Sequence, residues 1–160
     1  MYRMIRPKLF FAMALLALLV SAFFPIAAGA QSESWRGEYF SSINLTGSPV
    51  VREDTAINFN WGAGTPMAGL PADDFSVRWT RPLYFEAGRY RFTTESDDGV
   101  RLFVDGALVI DQWREMAARY SSELYLAAGT HTVRLEYFEQ RGGAMAQLNW
   151  SRVDAPTPGN

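Results

Sequence analysis

The stretch Tyr90-Arg91-Phe92-Thr93-Thr94-Glu95-Ser96-Asp97-Asp98-Gly99-Val100-Arg101-Leu102-Phe103-Val104-Asp105-Gly106 decides the architecture. Tyr90, Phe92 and Thr94 alternate with polar neighbours, and so do Val100, Leu102 and Val104 around Arg101. Side chains at i, i+2 and i+4 share one face of a strand, so each half offers a buried face and a wet one. Asp105-Gly106 then reads as a two-residue hairpin turn, because a type I′ turn needs positive φ and Gly takes it at little cost.

The same alternation recurs outward from this segment, in Ile57-x-Phe59-x-Trp61, Phe75-x-Val77-x-Trp79 and Val133-x-Leu135-x-Tyr137. Ala87-Gly88 and Ala128-Gly129 stand before strands, and Gly142-Gly143 precedes a closing segment, Ala146-x-Leu148-x-Trp150. A longer loop of Gly, Pro and small residues runs from Gly62 to Asp73. No apolar pattern of helical period lasts three turns, and Gln112 to Tyr120 is the one stretch suited to a helical turn. The expectation is a single all-β domain over residues 31–152, an antiparallel β-sandwich or barrel of about nine to ten short strands.

The first 30 residues differ in kind. Arg3, Arg6 and Lys8 precede an apolar run from Leu9 to Phe24, which ends in Pro25 and Ala28-Gly29-Ala30. That is the layout of a secretory signal peptide, and the run is shorter than the roughly 18–20 residues that span a bilayer. A retained anchor is the alternative; with no Cys in the chain, a lipid-anchored lipoprotein is excluded. Export implies a secreted, extracellular protein, with the cell surface or periplasm as further destinations and no membrane contact after cleavage. The last residues, 153–160, include Ala-Pro-Thr-Pro-Gly and read as a linker or tail to other domains of a longer parent protein.

Three of the 15 basic residues and none of the 17 acids lie in those first 30, so the remainder is acidic and every cation in it is Arg. Without a basic cluster the domain lacks the footprint that nucleic acid requires. One His and no Cys exclude structural zinc and thiol chemistry. His131 lies in a strand-entry turn with no nucleophile at motif spacing, and neither a serine elbow nor a phosphate-binding loop is present. The acidic pairs are adjacent in sequence, whereas glycosidic cleavage needs two carboxylates about 5–9 Å apart. The reading is therefore a protein that is not an enzyme.

Glu95-Ser96-Asp97-Asp98-Gly99 is the strongest local signal. Neighbouring strand residues point to opposite faces, so two carboxylates can address one point only if the chain leaves β geometry, by a tight turn or a cis peptide. Converging carboxylates repel, and Ca²⁺ offsets that repulsion while taking 6–8 oxygen ligands. The alternative is a polar hairpin loop in which Asp97 caps the turn and Asp98-Gly99 supplies positive φ.

Asp74-Phe75-Ser76-Val77-Arg78-Trp79-Thr80, Ala87-Gly88-Arg89-Tyr90-Arg91-Phe92 and Ser96 to Gly106 resemble the PA14 domain family. So do Ile110-Asp111-Gln112-Trp113, Val133 to Glu139 and Ala146-Gln147-Leu148-Asn149-Trp150. The resemblance runs from about Trp35 to Trp150. It implies a β-sandwich module of secreted glycosidases, adhesins, proteases and toxins, often a non-catalytic, lectin-like carbohydrate-binding domain whose partner is a glycan or cell-surface polysaccharide. In the sugar-binding adhesins of the family, paired Asp residues form a cis-peptide calcium motif whose ion sugar hydroxyls ligate. Asp97 and Asp98 match that pair.

The resemblance further implies a third metal ligand at Glu139, where the adhesins carry Asn, and carbonyl ligands from Arg141 to Gly143. Asp97, Asp98 and Glu139 are thus the expected Ca²⁺ ligands, with Arg141 on the ligand-binding loop. Asp73 is read as outside the set. Trp113 breaks the alternation and is the candidate sugar-stacking platform, against the alternative of core packing. The alternative to glycan binding as a whole is a structural or protein-interaction spacer with no sugar ligand.

Overall fold

The computed structural model describes residues 33–153, so the signal-peptide reading and the tail beyond Val153 lie outside the described residues. Ten strands form: β1 (Trp35–Phe40), β2 (Val50–Asp54), β3 (Asn58–Gly62), β4 (Phe75–Phe85), β5 (Gly88–Ser96), β6 (Val100–Val104), β7 (Ala107–Gln112), β8 (Ala118–Leu126), β9 (Gly129–Glu139) and β10 (Ala144–Arg152). They build a six-stranded sheet in the order β2-β1-β4-β9-β6-β7 and a four-stranded sheet in the order β3-β10-β5-β8. Every pairing is antiparallel. The all-β sandwich expected from the alternation is what forms.

Alternation places the core between the sheets. Phe75, Val77 and Trp79 of β4, Leu102 of β6, and Val133, Leu135 and Tyr137 of β9 face Phe92 of β5 and Ala146 of β10, all fully or almost fully buried. Burying one such large side chain contributes about 1.5–3 kcal/mol, so this row holds the sheets together without disulfides. Asp105 and Gly106 take φ of 51° and 81°, the type I′ turn that Asp-Gly announced. Gln112 to Tyr120 does not form a helical turn: β7 ends, five residues cross to the other sheet, and β8 begins at Ala118. Trp150, expected in the core, lies at the rim with 37% of its surface exposed.

One buried polar knot ties three strands. Asp54 accepts hydrogen bonds from the Tyr39 hydroxyl at 2.6 Å and Trp79 Nε1 at 2.8 Å, and pairs with Arg52 at 2.6 Å. A Cβ on Gly37 would come within 2.6 Å of the Asp54 carboxylate, which is why this strand position carries no side chain. On the outer face of the larger sheet, Glu38, Arg78, Glu136, Arg101 and Asp111 stand in successive register across β1, β4, β9, β6 and β7. Alternating charge directly across strands supports this register by about 0.2–1 kcal/mol per pair.

The connectivity sets up the site. The loops 63–74, 97–99, 113–117 and 140–143 each carry the chain from one sheet to the other. All four do so at the same pole of the sandwich, because β3, β5, β7 and β9 end there while β4, β6, β8 and β10 begin there. The described chain starts and stops at the opposite pole, where Trp35 and Trp150 meet edge to face at 6.3 Å.

Candidate functional site

Asp97, Asp98 and Gly99 form the shortest of these crossings. Asp97 is held by its N–H, which donates to the Met145 carbonyl at 3.1 Å. Asp98 is nearly buried, and its Oδ2 accepts the Gln140 N–H at 2.7 Å. Ser96 Oγ donates to the Asp98 carbonyl at 2.8 Å, and Phe138 N–H donates to the Gly99 carbonyl at 3.0 Å. A Cβ on Gly99 would run into the Phe138 ring. The link is a bend between sheets rather than a hairpin, and neither Asp97, Asp98 nor Gly99 has positive φ. No cis peptide occurs among the described residues, so the cis bond implied by the family resemblance is not the means by which this chain turns.

Glu139 ends β9 with its side chain wholly buried. Its Oε2 accepts a hydrogen bond from the Tyr137 hydroxyl at 2.7 Å, and that hydroxyl in turn accepts the Met145 N–H at 3.2 Å. Its Oε1 is buried without a partner. Burial pushes the Glu139 carboxyl up to about 7, and the charges of Asp98, Asp97 and Asp73 push in the same direction against the Tyr137 hydrogen bond. Asp97 is raised too, by burial first and then by Asp98. A buried oxygen left without a partner costs about 1–3 kcal/mol, more when charged, so it signals either stored strain or a missing ligand.

The loop 140–143 closes over these groups. A Cβ on Gly143 would stand 2.9 Å from Asp97 Oδ2, so the backbone lies close against that carboxylate. Gly142 takes φ of 103°. Its N–H donates to Asp73 Oδ1 at 3.1 Å, and Asp74 N–H donates to the Gln140 carbonyl at 3.2 Å. Asp73, set aside in the sequence reading, therefore belongs to the neighbourhood. Its role and that of Tyr137 were hidden, because nothing in the spacing says that loops 63–74 and 140–143 share a pole.

The fit to a metal is partial but chemically consistent. Among the described residues no three His, Asp or Glu side chains already converge on a single metal-sized point. The donors gathered at the pole are nevertheless all oxygens, one of them buried and unpartnered, and such a set suits a hard cation such as Ca²⁺. Trp113 is at the same pole, half-buried. Its ring meets Phe138 edge to face at 4.8 Å and carries the Arg101 guanidinium 4.0 Å from its centroid. Arg141 is exposed at the head of its loop. His131 is distant from all of this, bound to Asp105 and the Ala127 carbonyl.

Two concavities lie at the other pole. A cleft of about 260 Å³ is lined by Trp35, Ile57, Arg81 and Trp150, and one of about 330 Å³ by Arg36, Glu53 and Pro82. Neither contains the unpartnered carboxylate oxygen that marks the loop pole.

Comparison with known proteins agrees with this fold. The chain is 43% identical over 121 residues to the anti-sigma-I factor RsgI3 of Acetivibrio thermocellus, a match that covers 72% of this chain and 18% of that protein. A solved anti-sigma factor domain-containing protein from Clostridium clariflavum superposes with a TM-score of 0.71 at 35% identity, covering 75% of this chain and 42% of that one. A PA14 sugar-binding domain from an RTX adhesin shares the fold, with a TM-score of 0.59 at 20% identity over 74% of this chain and 89% of that one. The PA14 domain family matches residues 33–159, nearly the whole chain beyond its first 32 residues. This chain belongs to the PA14 domain family.

Proposed function

We propose that this chain is an exported, non-catalytic glycan-binding module whose site is the pole built by Asp97, Asp98, Glu139 and the 140–143 loop, assisted by Ca²⁺. The observation that carries the reading is Glu139 Oε1, buried and unpartnered, with the Asp98 and Asp97 carboxylates near enough to repel its charge. Bound there, Ca²⁺ would offset the mutual repulsion and offer remaining coordination positions to sugar hydroxyls. Asp97, Asp98 and Glu139 would hold it, with carbonyls of the Arg141 to Gly143 loop. Arg101 covers the ring of Trp113 and Phe138 packs against it, so Trp113 borders the site at the rim rather than serving as an open platform. The domain of the RTX adhesin, described as sugar-binding, has the same fold.

The placement of the described chain ends at the far pole supports a second component of the reading. Neighbouring domains of a longer protein can attach there without covering the site. The 18% share of RsgI3 that the chain spans fits such a modular setting. A pure spacer would need no buried carboxylate oxygen without a partner.

The test is thermal unfolding with Ca²⁺ and with chelator. A ligand bound only by the folded state stabilises by about 2.7 kcal/mol at 100-fold excess over Kd, or about 4–8 °C in a domain near 100 residues. Asp98→Ala should remove the shift. Identical curves in calcium and in chelator for the parent protein would remove the metal.

A further inference from the structure

We infer that Asp73 is the positioning residue of this site: from the β3–β4 loop it clamps the 140–143 loop into the shape that meets the ligand. The inference rests on the reading of the site given above. Residues 141–143 include two glycines, and such a segment has little shape of its own. Its conformation must come from what holds it. Three contacts do so: Gln140 N–H to Asp98 Oδ2, Gln140 carbonyl to Asp74 N–H, and Gly142 N–H to Asp73 Oδ1. Two of the three come from consecutive residues of the β3–β4 loop.

That loop is built to be an anchor. Thr65 Oγ1 donates to the Met67 and Leu70 carbonyls at 2.7 and 2.8 Å, and Leu70 N–H returns to the Met67 carbonyl at 3.2 Å. Leu70 is buried in the core, and Arg52, already fixed on Asp54, donates to the Pro66 carbonyl at 3.3 Å. At its end Asp74 adopts φ of 55°, a left-handed conformation unusual for a residue with a Cβ, which turns the chain into β4. The internally hydrogen-bonded β3–β4 loop thus presents one side-chain acceptor and one backbone donor to the 140–143 loop. The Glu139 oxygen without a partner, wholly buried at the start of the clamped loop, is the independent sign that this loop is shaped around a ligand.

Asp73 touches the loop backbone and no reacting atom, so it acts through Gly142 and Gly143, the latter lying against Asp97. Two variants separate hydrogen bonding from charge. Asp73→Asn keeps an oxygen acceptor for Gly142 and drops the charge; Asp73→Ala drops both. The measurements are Ca²⁺ titration calorimetry on each purified variant and amide hydrogen exchange at Gly142 in metal-free protein. Asp73→Ala is expected to weaken Ca²⁺ binding about tenfold or more, the usual cost of losing a residue that orients a ligand, while Asp73→Asn restores most of it. Gly142 exchange should accelerate in the Ala variant and stay near the parent rate in the Asn variant. Equal loss in Asn and Ala would mean that the charge acts and would overturn the positioning role. Gly142 exchange unchanged in the Ala variant would also overturn it. If the parent binds no Ca²⁺, the metal reading fails by itself, and the exchange result alone decides whether Asp73 holds the loop.

Discussion

The Tyr137 hydroxyl donates a hydrogen bond to Glu139 at 2.7 Å, and the other oxygen of that carboxylate is buried with nothing to bind. Two residues apart on β9, both point between the sheets, so the strand delivers a carboxylate and its orienting donor together. The hydroxyl is itself held by Met145 N–H from β10. The carboxylate is therefore fixed in direction before any ligand arrives.

Glu139→Gln follows from this half-satisfied state. The folded carboxyl titrates near 7 against an ordinary 4.5, so between those values the folded protein holds the extra proton. Metal-free stability should therefore fall as pH rises from about 4.5 through 7. The Gln variant, with no charge to bury, should flatten that decline and melt higher than the parent at pH 8 in chelator, by about 1–3 kcal/mol. It should also lose the Ca²⁺ shift. A variant with unchanged Ca²⁺ response would place Glu139 outside the site.

Gly143→Ala and Gly99→Ala should separate site from fold. At Gly143 the new Cβ meets a single carboxylate oxygen, Asp97 Oδ2, so unfolding by urea should change by less than about 1 kcal/mol while Ca²⁺ affinity drops. At Gly99 it meets the ring of Phe138, which is buried and packed on Trp113, and overpacking should cost about 1–3 kcal/mol. Equal behaviour of the two variants in both assays would contradict the assigned geometry.

His131 gives a second pH dependence, separate from the metal. Both ring nitrogens face acceptors, Asp105 at 2.6 Å and the Ala127 carbonyl at 3.0 Å, and only the imidazolium donates to both. The Asp105 hydrogen bond chiefly raises the imidazole above its ordinary 6.5, and the same bond lowers Asp105 below 3.8. The contribution of His131 is complete below 6.5 and lost as pH rises through its raised value; that of Asp105 is lost as pH falls through its lowered one. His131→Ala should cost about 0.5–1.5 kcal/mol near pH 5 and less at pH 9, read by urea unfolding in chelator. A cost independent of pH would reduce the pair to packing.

Asp54→Ala serves as the fold control. It strips the acceptor from Tyr39 and Trp79 and the counter-ion from Arg52, and should cost about 3–5 kcal/mol with or without Ca²⁺. Calorimetric unfolding would show whether any of that cost is calcium-dependent, which would join the two networks against expectation.

Alternation made most of the strands legible, because a side-chain period of two is written directly in residues such as Phe75, Val77 and Trp79. The Asp105-Gly106 turn was legible for the same local reason: its backbone needs what those two residues supply. Trp150 kept the apolar phase yet reached the rim, since phase reports which face a residue is on and not how far along the sandwich it sits. Asp97 and Asp98 stood out as an adjacent carboxylate pair, whereas Glu139 could be named by resemblance alone. That Asp73 clasps Gly142 from 69 positions away could not be read, because it depends on which sheet each strand joins and at which pole each loop crosses. Trp113 likewise had no sequence sign of the guanidinium that covers it, because Arg101 reaches it across the β6–β7 pairing, where it stands opposite Asp111.

The most direct measurement is binding of the purified domain to a glycan array, in Ca²⁺ and in chelator, for the parent protein and Asp98→Ala. The account predicts binding by the parent in Ca²⁺, its loss in chelator, and no binding by Asp98→Ala in either condition. Binding that survives both the chelator and the Asp98→Ala substitution, or its absence throughout, would contradict a calcium-assisted glycan site at this pole.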